Sequence, residues 1–205
     1  MKKEDELKYQ KKWAGVFSKH KDLVLEYWKK YRYFYTIESI CQPNENKKIL
    51  DVGCGISSIL HFIKGQKYGI DALIKEYRTL YQYPNTINTI PARAEHIPFK
   101  DNTFDIIFCS NAYDHVDNIE LARKEIYRVL KPEGYFVLAV EFFKQKKVRD
   151  SAHPYCLLKE DVYNLTNEYL YLYQRITPWV GLKEHILGVT QYDEEELLFI
   201  LQKRI

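Results

Sequence analysis

Residues 49–57 of this chain, ILDVGCGIS, constrain its fold more than any other segment. The apolar start is typical of a buried strand, which reaches a carboxylate, Asp51, near its end. The chain then turns on Gly53 and Gly55. A glycine turn between a parallel strand and a helix brings the backbone close to a ligand, because a side chain there would collide with it. The segment therefore predicts an α/β fold with a nucleotide-like ligand at its first crossover.

The residues after this turn continue the alternation of strands and helices. Further strands are predicted at 67–71, 86–90, 104–110 and 135–140, and helices at 57–64, 73–82, 117–130 and 158–169. The continuous apolar run FDIIFCS at 104–110 is typical of a parallel strand covered on both faces. Segments 170–177 and 196–204 are predicted to pair antiparallel at one edge. The pattern predicts a Rossmann-like, seven-stranded, mostly parallel sheet with an antiparallel edge strand and helices on both faces.

The amino-terminal segment is predicted to form a helical cap. Residues 7–40 carry apolar side chains at spacings of three or four, and a polar run at 44–48 separates them from the first strand. Basic residues gather between Lys2 and Arg32 and are interleaved with aromatic residues. This combination favours amphipathic helices with an aromatic inner face and a solvated lysine face. A surface for RNA or for a negatively charged substrate is the alternative.

Composition excludes several classes of protein. The 205 residues are enough for one α/β domain and too few for two ordinary domains. No segment approaches the roughly 20 uncharged apolar residues of a membrane helix. The charged start MKKEDELKYQKKWAG lacks the apolar core of a secretory signal, so a cytoplasmic location is expected. The four scattered cysteines form no CxxC pair, and no metal site is predicted. The net charge of +3 neither requires nor excludes nucleic acid.

The residues around the turn favour one cofactor over another. The dinucleotide fingerprint GxGxxG would place a third glycine where this chain has Ser58, so a nicotinamide cofactor is disfavoured. A carboxylate, Asp51, lies two residues before the first glycine. S-adenosylmethionine carries an ammonium and a sulfonium, and such a carboxylate suits these cations better than it suits a pyrophosphate. The sequence therefore favours S-adenosylmethionine.

Three segments in register make the family recognisable. ILDVGCG resembles the first motif of the class I S-adenosylmethionine-dependent methyltransferases, in particular the methyltransferase type 11 group typified by the small-molecule methylases of ubiquinone biosynthesis. The similarity continues through ARAEHIPFKDNTFDIIFCSNAYDHVDN at 92–118 and EIYRVLKPEGYFVLAV at 125–140. The matched span covers about residues 48–141.

The resemblance implies roles for individual residues. Asp71, at the end of the second strand, is expected to accept hydrogen bonds from both ribose hydroxyls, with a helix-capping aspartate as the alternative. The residues implied in cofactor binding are Asp51, Gly53, Cys54, Gly55, Asp71, Ala72, Ala94, Glu95, Ser110 and Asn111. Two positions depart from the family pattern. Ser57 stands where a glycine is frequent. Arg93 stands where an acidic residue often receives the adenine amino group, so adenine binding is expected to use Glu95 or backbone groups.

The candidates for acid–base chemistry are two histidines and a tyrosine. Transfer to an oxygen acceptor gains from a general base, and histidine is the usual one near neutral pH. His115 follows the fourth strand, and His153 lies in a loop after the fifth. Tyr113 and Glu141 are further pocket candidates, and Tyr113 can equally be a packing residue. Either histidine can instead cap a helix. His115 can also support other site residues without contacting the substrate.

The sequence thus predicts a methyltransferase acting on a small-molecule acceptor: a sugar, a lipid-linked compound or a secondary metabolite. The alternatives are RNA or protein as acceptor, or a non-catalytic binding module of the same fold. A single domain is expected, with a cap at 1–45, a cofactor-binding core at 46–141, and a substrate-side loop with edge strands at 142–205. The oligomeric state stays open.

Overall fold

The computed structural model of the chain describes residues 3–31, 33–146, 154–178 and 195–205. The helices are α1 (Lys3–Lys19), α2 (Lys21–Tyr31), α3 (Phe34–Cys41), α4 (Ile74–Leu80), α5 (Ile119–Val129) and α6 (Lys159–Thr166). The strands are β1 (Lys48–Val52), β2 (Gln66–Asp71), β3 (Ile87–Pro91), β4 (Phe104–Ser110), β5 (Leu130–Phe142), β6 (Tyr169–Pro178) and β7 (Glu195–Lys203).

The strands form one seven-stranded sheet in the order β3-β2-β1-β4-β5-β7-β6. The first five strands are parallel, and β7 runs antiparallel to both of its neighbours. This arrangement confirms the predicted Rossmann-like sheet, with the antiparallel pair β6 and β7 at one edge and β6 outermost. The strand order reverses between β1 and β4. Ligands of open α/β sheets bind outside the carboxyl ends of the strands at such a switch point.

Helices cover both faces of the sheet because successive strand residues point to opposite faces. On one face, Ile49 and Ile106 pack with the inner residues of α1, α2, α3 and α4. On the other face, Leu50 and Ile107 pack with α5 and α6. All four strand side chains are fully buried. The two apolar layers fix the sheet in position and leave its carboxyl edge between them.

The amino-terminal segment forms three helices where one helical stretch was predicted at 7–40. The first break is at His20, and the second is at Tyr33, which has a left-handed φ of 51°. Phe17, Tyr27 and Trp28 are buried in the layer beneath them. The interpretation as amphipathic helices with an aromatic inner face is therefore confirmed for these residues.

The helix expected at 57–64 is wrong. The structure has a single 3₁₀ turn at Ile59–His61, begun by Ser58, whose hydroxyl oxygen accepts a hydrogen bond from the Leu60 amide at 3.1 Å. The ring of Phe17, from α1, packs on the ring of His61 with centroids 4.4 Å apart. The amino-terminal helices thus occupy the space on this face that a full helix after β1 would need.

The described part of the chain lacks two features. None of its helices combines the length and the apolar character that crossing a membrane requires. Nor do the His, Cys, Asp and Glu residues within it form a group of three or more that could hold a metal ion.

Candidate cofactor site

The glycine turn joins β1 to the 3₁₀ turn at the carboxyl edge of the sheet. Gly53 and Gly55 have φ angles of +72° and +49°, which L side chains rarely adopt. The amides of Gly53 and Cys54 both donate to the carbonyl of Ile70, at 2.9 and 3.1 Å, and so bind the turn to β2. Cys54 is buried, with its sulfur against Gly69. The three predicted turn residues therefore lie together, and the Cys54 side chain packs inside the protein.

Protein side chains face both glycines. A Cβ atom on Gly53 would lie 2.3 Å from the Cβ of Ala112, in the loop after β4. A Cβ atom on Gly55 would lie 2.8 Å from Nε2 of Gln10, in α1. The two glycines therefore let the loop after β4 and helix α1 approach the turn at the switch point. Packing within the protein requires glycine here, in addition to any demand from a ligand.

Asp51 stabilises the turn from below. Its side chain is buried, and Oδ2 accepts a hydrogen bond from the Ser58 hydroxyl at 2.5 Å. Burial raises the pKa of Asp51 to about 7; the nearby charge of Asp71 adds to this rise, and the Ser58 hydroxyl opposes it. From the sequence, Asp51 is expected to engage a cationic ligand. The structure shows that it also holds the start of the 3₁₀ turn through Ser58, at the position where a dinucleotide fingerprint has glycine.

The raised pKa of Asp51 predicts a loss of stability as the pH rises. Between its ordinary pKa of 3.8 and the folded value of about 7, the folded protein holds a proton that the unfolded chain releases. We therefore expect Asp51 to lower the unfolding free energy of the wild type by about 2–3 kcal/mol between pH 5 and pH 8. Asp51→Asn, which has no group to titrate, should lack this decrease. Urea unfolding of the ligand-free protein at both pH values measures it. Equal pH dependence in the variant and the wild type would contradict the assignment.

Asp71 lies at the end of β2, beside the turn. Its Oδ1 accepts a hydrogen bond from the Leu73 amide at 2.9 Å, and its Oδ2 accepts one from the Gly55 amide at 3.3 Å. Burial raises the pKa of Asp71 to about 6; the two backbone donors and the Tyr77 hydroxyl oppose the rise, and the charge of Glu6 adds to it. Each carboxylate oxygen has two lone pairs, so acceptor sites remain beside the two amides, for which ribose hydroxyls would compete with the Tyr77 hydroxyl. Ala72, which follows, is exposed.

Glu95 holds the loop that precedes α5. Its Oε1 accepts hydrogen bonds from the amides of Asp117 and Asn118, at 2.6 and 3.1 Å. Arg93 forms ion pairs with Glu95, at 3.6 Å, and with Asp117. The arginine that departs from the family pattern therefore has a local role, and Oε1 of Glu95 is already bonded to backbone amides. Of the two options for adenine in the sequence analysis, the backbone near Ala94 is the one that these contacts favour.

The loop after β4 brings two more predicted residues to the carboxyl edge. Ser110 is the last residue of β4 and is half-buried. Asn111 has a φ of 48°, and its amide donates to the carbonyl of Ala139 at 2.9 Å. Tyr113 is buried in the core, with its ring 6.4 Å from that of Phe136 and its pKa raised well above 10 by burial. The structure therefore favours packing as the role of Tyr113.

His115 is accompanied by a carboxylate. Its Nε2 lies 3.7 Å from Oδ1 of Asp114, whose side chain is buried, while the histidine side chain keeps 22% of its surface exposed. Glu141, the further candidate, lies in β5 opposite Glu196 of β7. His153 lies outside the described residues. Of the two predicted histidines, the structure therefore describes only His115, and it places this residue beside the carboxylate of Asp114.

Three side chains at the turn were missed by sequence reasoning: Gln10, His61 and Tyr83. Each bonds to the backbone of Gly55 or Ile56. One signal for Gln10 was available, because residues 7, 10, 14 and 17 lie on one face of α1, and the other three are Leu, Ala and Phe. Gln10 is buried, so it is a polar residue on an apolar helix face. His61 and Tyr83 carry no such signal.

The fold and the site define a class of protein. The switch point lies between β1 and β4, a glycine turn follows β1, and acidic side chains end β1 and β2. The donor set suits S-adenosylmethionine, because acceptor sites remain on Asp71 for ribose hydroxyls, and a bound cation would favour the ionised form of Asp51. The chain has the fold of the class I S-adenosylmethionine-dependent methyltransferases, with a candidate cofactor site at the switch point.

Comparisons with known proteins point to the same class. Residues 50–138 match the model of a methyltransferase domain. Protein MJ0638 of Methanocaldococcus jannaschii is 31% identical over 143 residues, which are 64% of this chain and 53% of that protein. The ubiquinone/menaquinone biosynthesis C-methyltransferase UbiE of Rickettsia prowazekii is 41% identical over 101 residues, 49% of this chain and 39% of that protein. The chain thus spans about half or less of the length of these curated relatives.

A solved structure shares the fold. An S-adenosylmethionine-dependent methyltransferase from Methanosarcina mazei superposes with a TM-score of 0.61 at 18% identity. The match covers 79% of this chain and 94% of that one. At this identity the likeness concerns the fold alone.

Proposed function

We propose that this protein transfers a methyl group from S-adenosylmethionine to a small-molecule acceptor, such as a sugar, a lipid-linked compound or a secondary metabolite. The observation that carries the proposal is the carboxyl-edge site, in which Asp51 and Asp71 flank a turn fixed by hydrogen bonds. UbiE, to which 49% of this chain is similar, is named for the biosynthesis of small molecules, ubiquinone and menaquinone, and this supports the acceptor class.

Different residues of the site would bind the cofactor and remove a proton from the acceptor. The cofactor, when bound, supplies an electrophilic methyl group on a sulfonium. Asp71 would bind its ribose and the glycine turn would hold its methionine part, so that the methyl group and the acceptor are aligned. Alignment alone lowers the barrier by about 7–11 kcal/mol in the best intramolecular reactions. For an oxygen acceptor, His115 would remove the proton, and the negative charge of Asp114 would stabilise the imidazolium formed.

A macromolecular acceptor is less well supported. The RNA alternative relied on basic and aromatic residues side by side at the amino terminus. Phe17, Tyr27 and Trp28 are buried instead of forming a surface on which bases could stack. The non-catalytic alternative relied on Ser57 and Arg93, and Arg93 has structural partners of its own.

A transfer assay with three acceptor pools tests the proposal. Purified protein with labelled S-adenosylmethionine is offered small metabolites, total RNA and protein from the same extract. We expect label in the metabolite pool, and a decrease of roughly 100-fold or more when an acceptor purified from it is tested with His115→Ala. His20→Ala, a change at an exposed histidine, is the matched control. Label in RNA or protein alone contradicts the acceptor class, and no label in any pool supports the binding module.

Three further expectations complete the proposal. Residues 1–205 would act as one unit, in which the segment at 1–45 caps the core at 46–141 and the segment at 142–205 adds the substrate-side loop. His153, which the sequence predicts to lie in that loop, is a second candidate base. The cytoplasmic location stays a prediction from the sequence.

A further inference from the structure

The backbone amides and carbonyls of Gly55 and Ile56 all form hydrogen bonds with side chains. The Gly55 amide donates to Asp71 Oδ2 at 3.3 Å, and its carbonyl accepts from the Tyr83 hydroxyl at 2.6 Å. The Ile56 amide donates to Gln10 Oε1 at 3.0 Å, and its carbonyl lies 3.0 Å from Nε2 of His61. Four separate parts of the chain therefore hold two consecutive residues of the cofactor turn.

Gln10 joins the amino-terminal helix to this turn through a hydrogen bond. It is buried, and its Oε1 accepts the Ile56 amide while its Nε2 donates to Oε1 of Glu6 at 2.9 Å. Its amide group occupies the space beside Gly55 that any larger residue would need. The side chain is thus fixed at both ends of its amide group, with a definite orientation.

Glu6 extends this contact to the ribose side of the site. Its Oε1 also accepts a hydrogen bond from the Tyr77 hydroxyl, in α4, at 3.3 Å. Its negative charge acts on Asp71, the residue expected to bind the ribose. Helix α1 therefore contacts the turn through Gln10 and the neighbourhood of Asp71 through Glu6.

We propose that Gln10 is a positioning residue for the cofactor, and that through it helix α1 is part of the cofactor-binding machinery as well as a cover over the sheet. The Ile56 amide is a buried donor, and a buried donor without an acceptor is costly. Without the Gln10 oxygen, the turn relaxes towards another acceptor. Because the neighbouring Gly55 amide bonds to Asp71, this relaxation also displaces the ribose-binding carboxylate.

The same coupling acts in the opposite direction. A ligand that holds Asp71 and the turn in their present geometry favours the geometry in which Gln10 bonds to Ile56. Binding of the cofactor therefore stabilises the docked position of α1. The inference rests on the cofactor of the proposed function and is independent of its acceptor.

Calorimetric titration with S-adenosylhomocysteine tests the inference without any acceptor. We expect Gln10→Ala to weaken binding about tenfold, the loss expected for one buried hydrogen bond. Val24→Ala, which removes a fully buried side chain of α2 in the same apolar layer, is the control for a general loss of stability. It should lower the melting temperature and leave the dissociation constant unchanged. Lys11→Ala, at an exposed position of α1, should change neither.

An exchange of two residues tests the orientation of the amide group. Gln10→Glu keeps an acceptor for the Ile56 amide, loses the donor to Glu6 and places two carboxylates together, so binding should weaken. The double variant Glu6→Gln/Gln10→Glu restores a donor and an acceptor at the same two positions with the same net charge. We expect it to bind S-adenosylhomocysteine with an affinity within about threefold of that of the wild type, because the effects of changes at two residues in contact are not additive and the second change can compensate for the first.

Proteolysis reports on the docking of α1 in addition to the general stabilisation that a bound ligand gives the folded protein. Trypsin cleavage within the lysine-rich α1 should slow when S-adenosylhomocysteine is added to the wild type, and should slow less for Gln10→Ala at saturating ligand. Unchanged affinity in Gln10→Ala, an equal loss in Val24→Ala, or no recovery in the double variant would each overturn the inference. Absence of binding by the wild type would instead overturn the proposed function.

Discussion

Replacing Asp71 with alanine is expected to weaken the binding of S-adenosylhomocysteine about 100-fold. Two hydrogen bonds to a charged acceptor contribute about 1.5–3 kcal/mol each, and the lower limit of their sum, about 3 kcal/mol, corresponds to that factor. Each oxygen of Asp71 accepts a hydrogen bond from one backbone amide: Oδ1 from Leu73 and Oδ2 from Gly55. Each also has a second lone pair that can accept a ribose hydroxyl. Isothermal titration calorimetry measures the change.

The matched variant for this experiment is Asp71→Asn. The asparagine oxygen still accepts one backbone amide, but its NH₂ group cannot accept a ribose hydroxyl, and the charge is lost. We expect an intermediate loss of affinity and a melting temperature between those of the wild type and Asp71→Ala, because one of the two backbone amides loses its acceptor. If Asp71→Ala binds S-adenosylhomocysteine as the wild type does, Asp71 is a helix-capping residue, the alternative that the sequence left open.

Replacing Gly53 with alanine is expected to destabilise the folded protein by about 4 kcal/mol. The φ of +72° costs a residue with a side chain about 1–2 kcal/mol. The added methyl group would also lie 2.3 Å from the Cβ of Ala112, and such overpacking costs about 1–3 kcal/mol. For a chain of this size, the melting temperature should fall by about 8–16 °C in a calorimetric scan.

Two variants separate the causes of this loss. Gly53→Ala/Ala112→Gly removes the close contact but keeps the unfavourable φ, so about half of the loss should return. Gly15→Ala is the control, because a Cβ there meets no heavy atom within 4 Å in the middle of α1. It should stabilise the protein by about 0.5–1 kcal/mol. A Gly53→Ala variant as stable as the wild type would mean that the turn and the loop after β4 do not meet in solution.

The elements with a clear pattern were predicted closely. The strand at 104–110 has the predicted bounds, and the predicted strand at 67–71 begins one residue earlier, at Gln66. Continuous apolar runs bounded by polar residues define buried strands without reference to the rest of the chain. The prediction of a helix at 57–64 was wrong because the conformation there depends on a distant part of the chain. Phe17, far away in the sequence, packs on His61.

The candidate site was predicted in part. Asp71 and the glycines lie where the sequence places them, because short apolar runs mark the strands that precede them. The bonds of Glu95 to the backbone were not predicted, and the choice between pocket and packing for Tyr113 stayed open, because both depend on which surfaces the helices cover. Gln10 is 46 residues from its partner Ile56 in the sequence, and only the fold brings them within 3.0 Å.

The sequence by itself determined the class of fold and the cofactor, because strand periodicity and a glycine turn with a carboxylate before it are local properties of a few adjacent residues. The tertiary structure alone decided what surrounds that turn. It placed Ala112 and Gln10 against the two glycines, bonded Asp51 to Ser58, and fixed the peptide groups of Gly55 and Ile56 from four sides. These contacts arise from packing between distant segments, and no pattern of neighbouring residues encodes them.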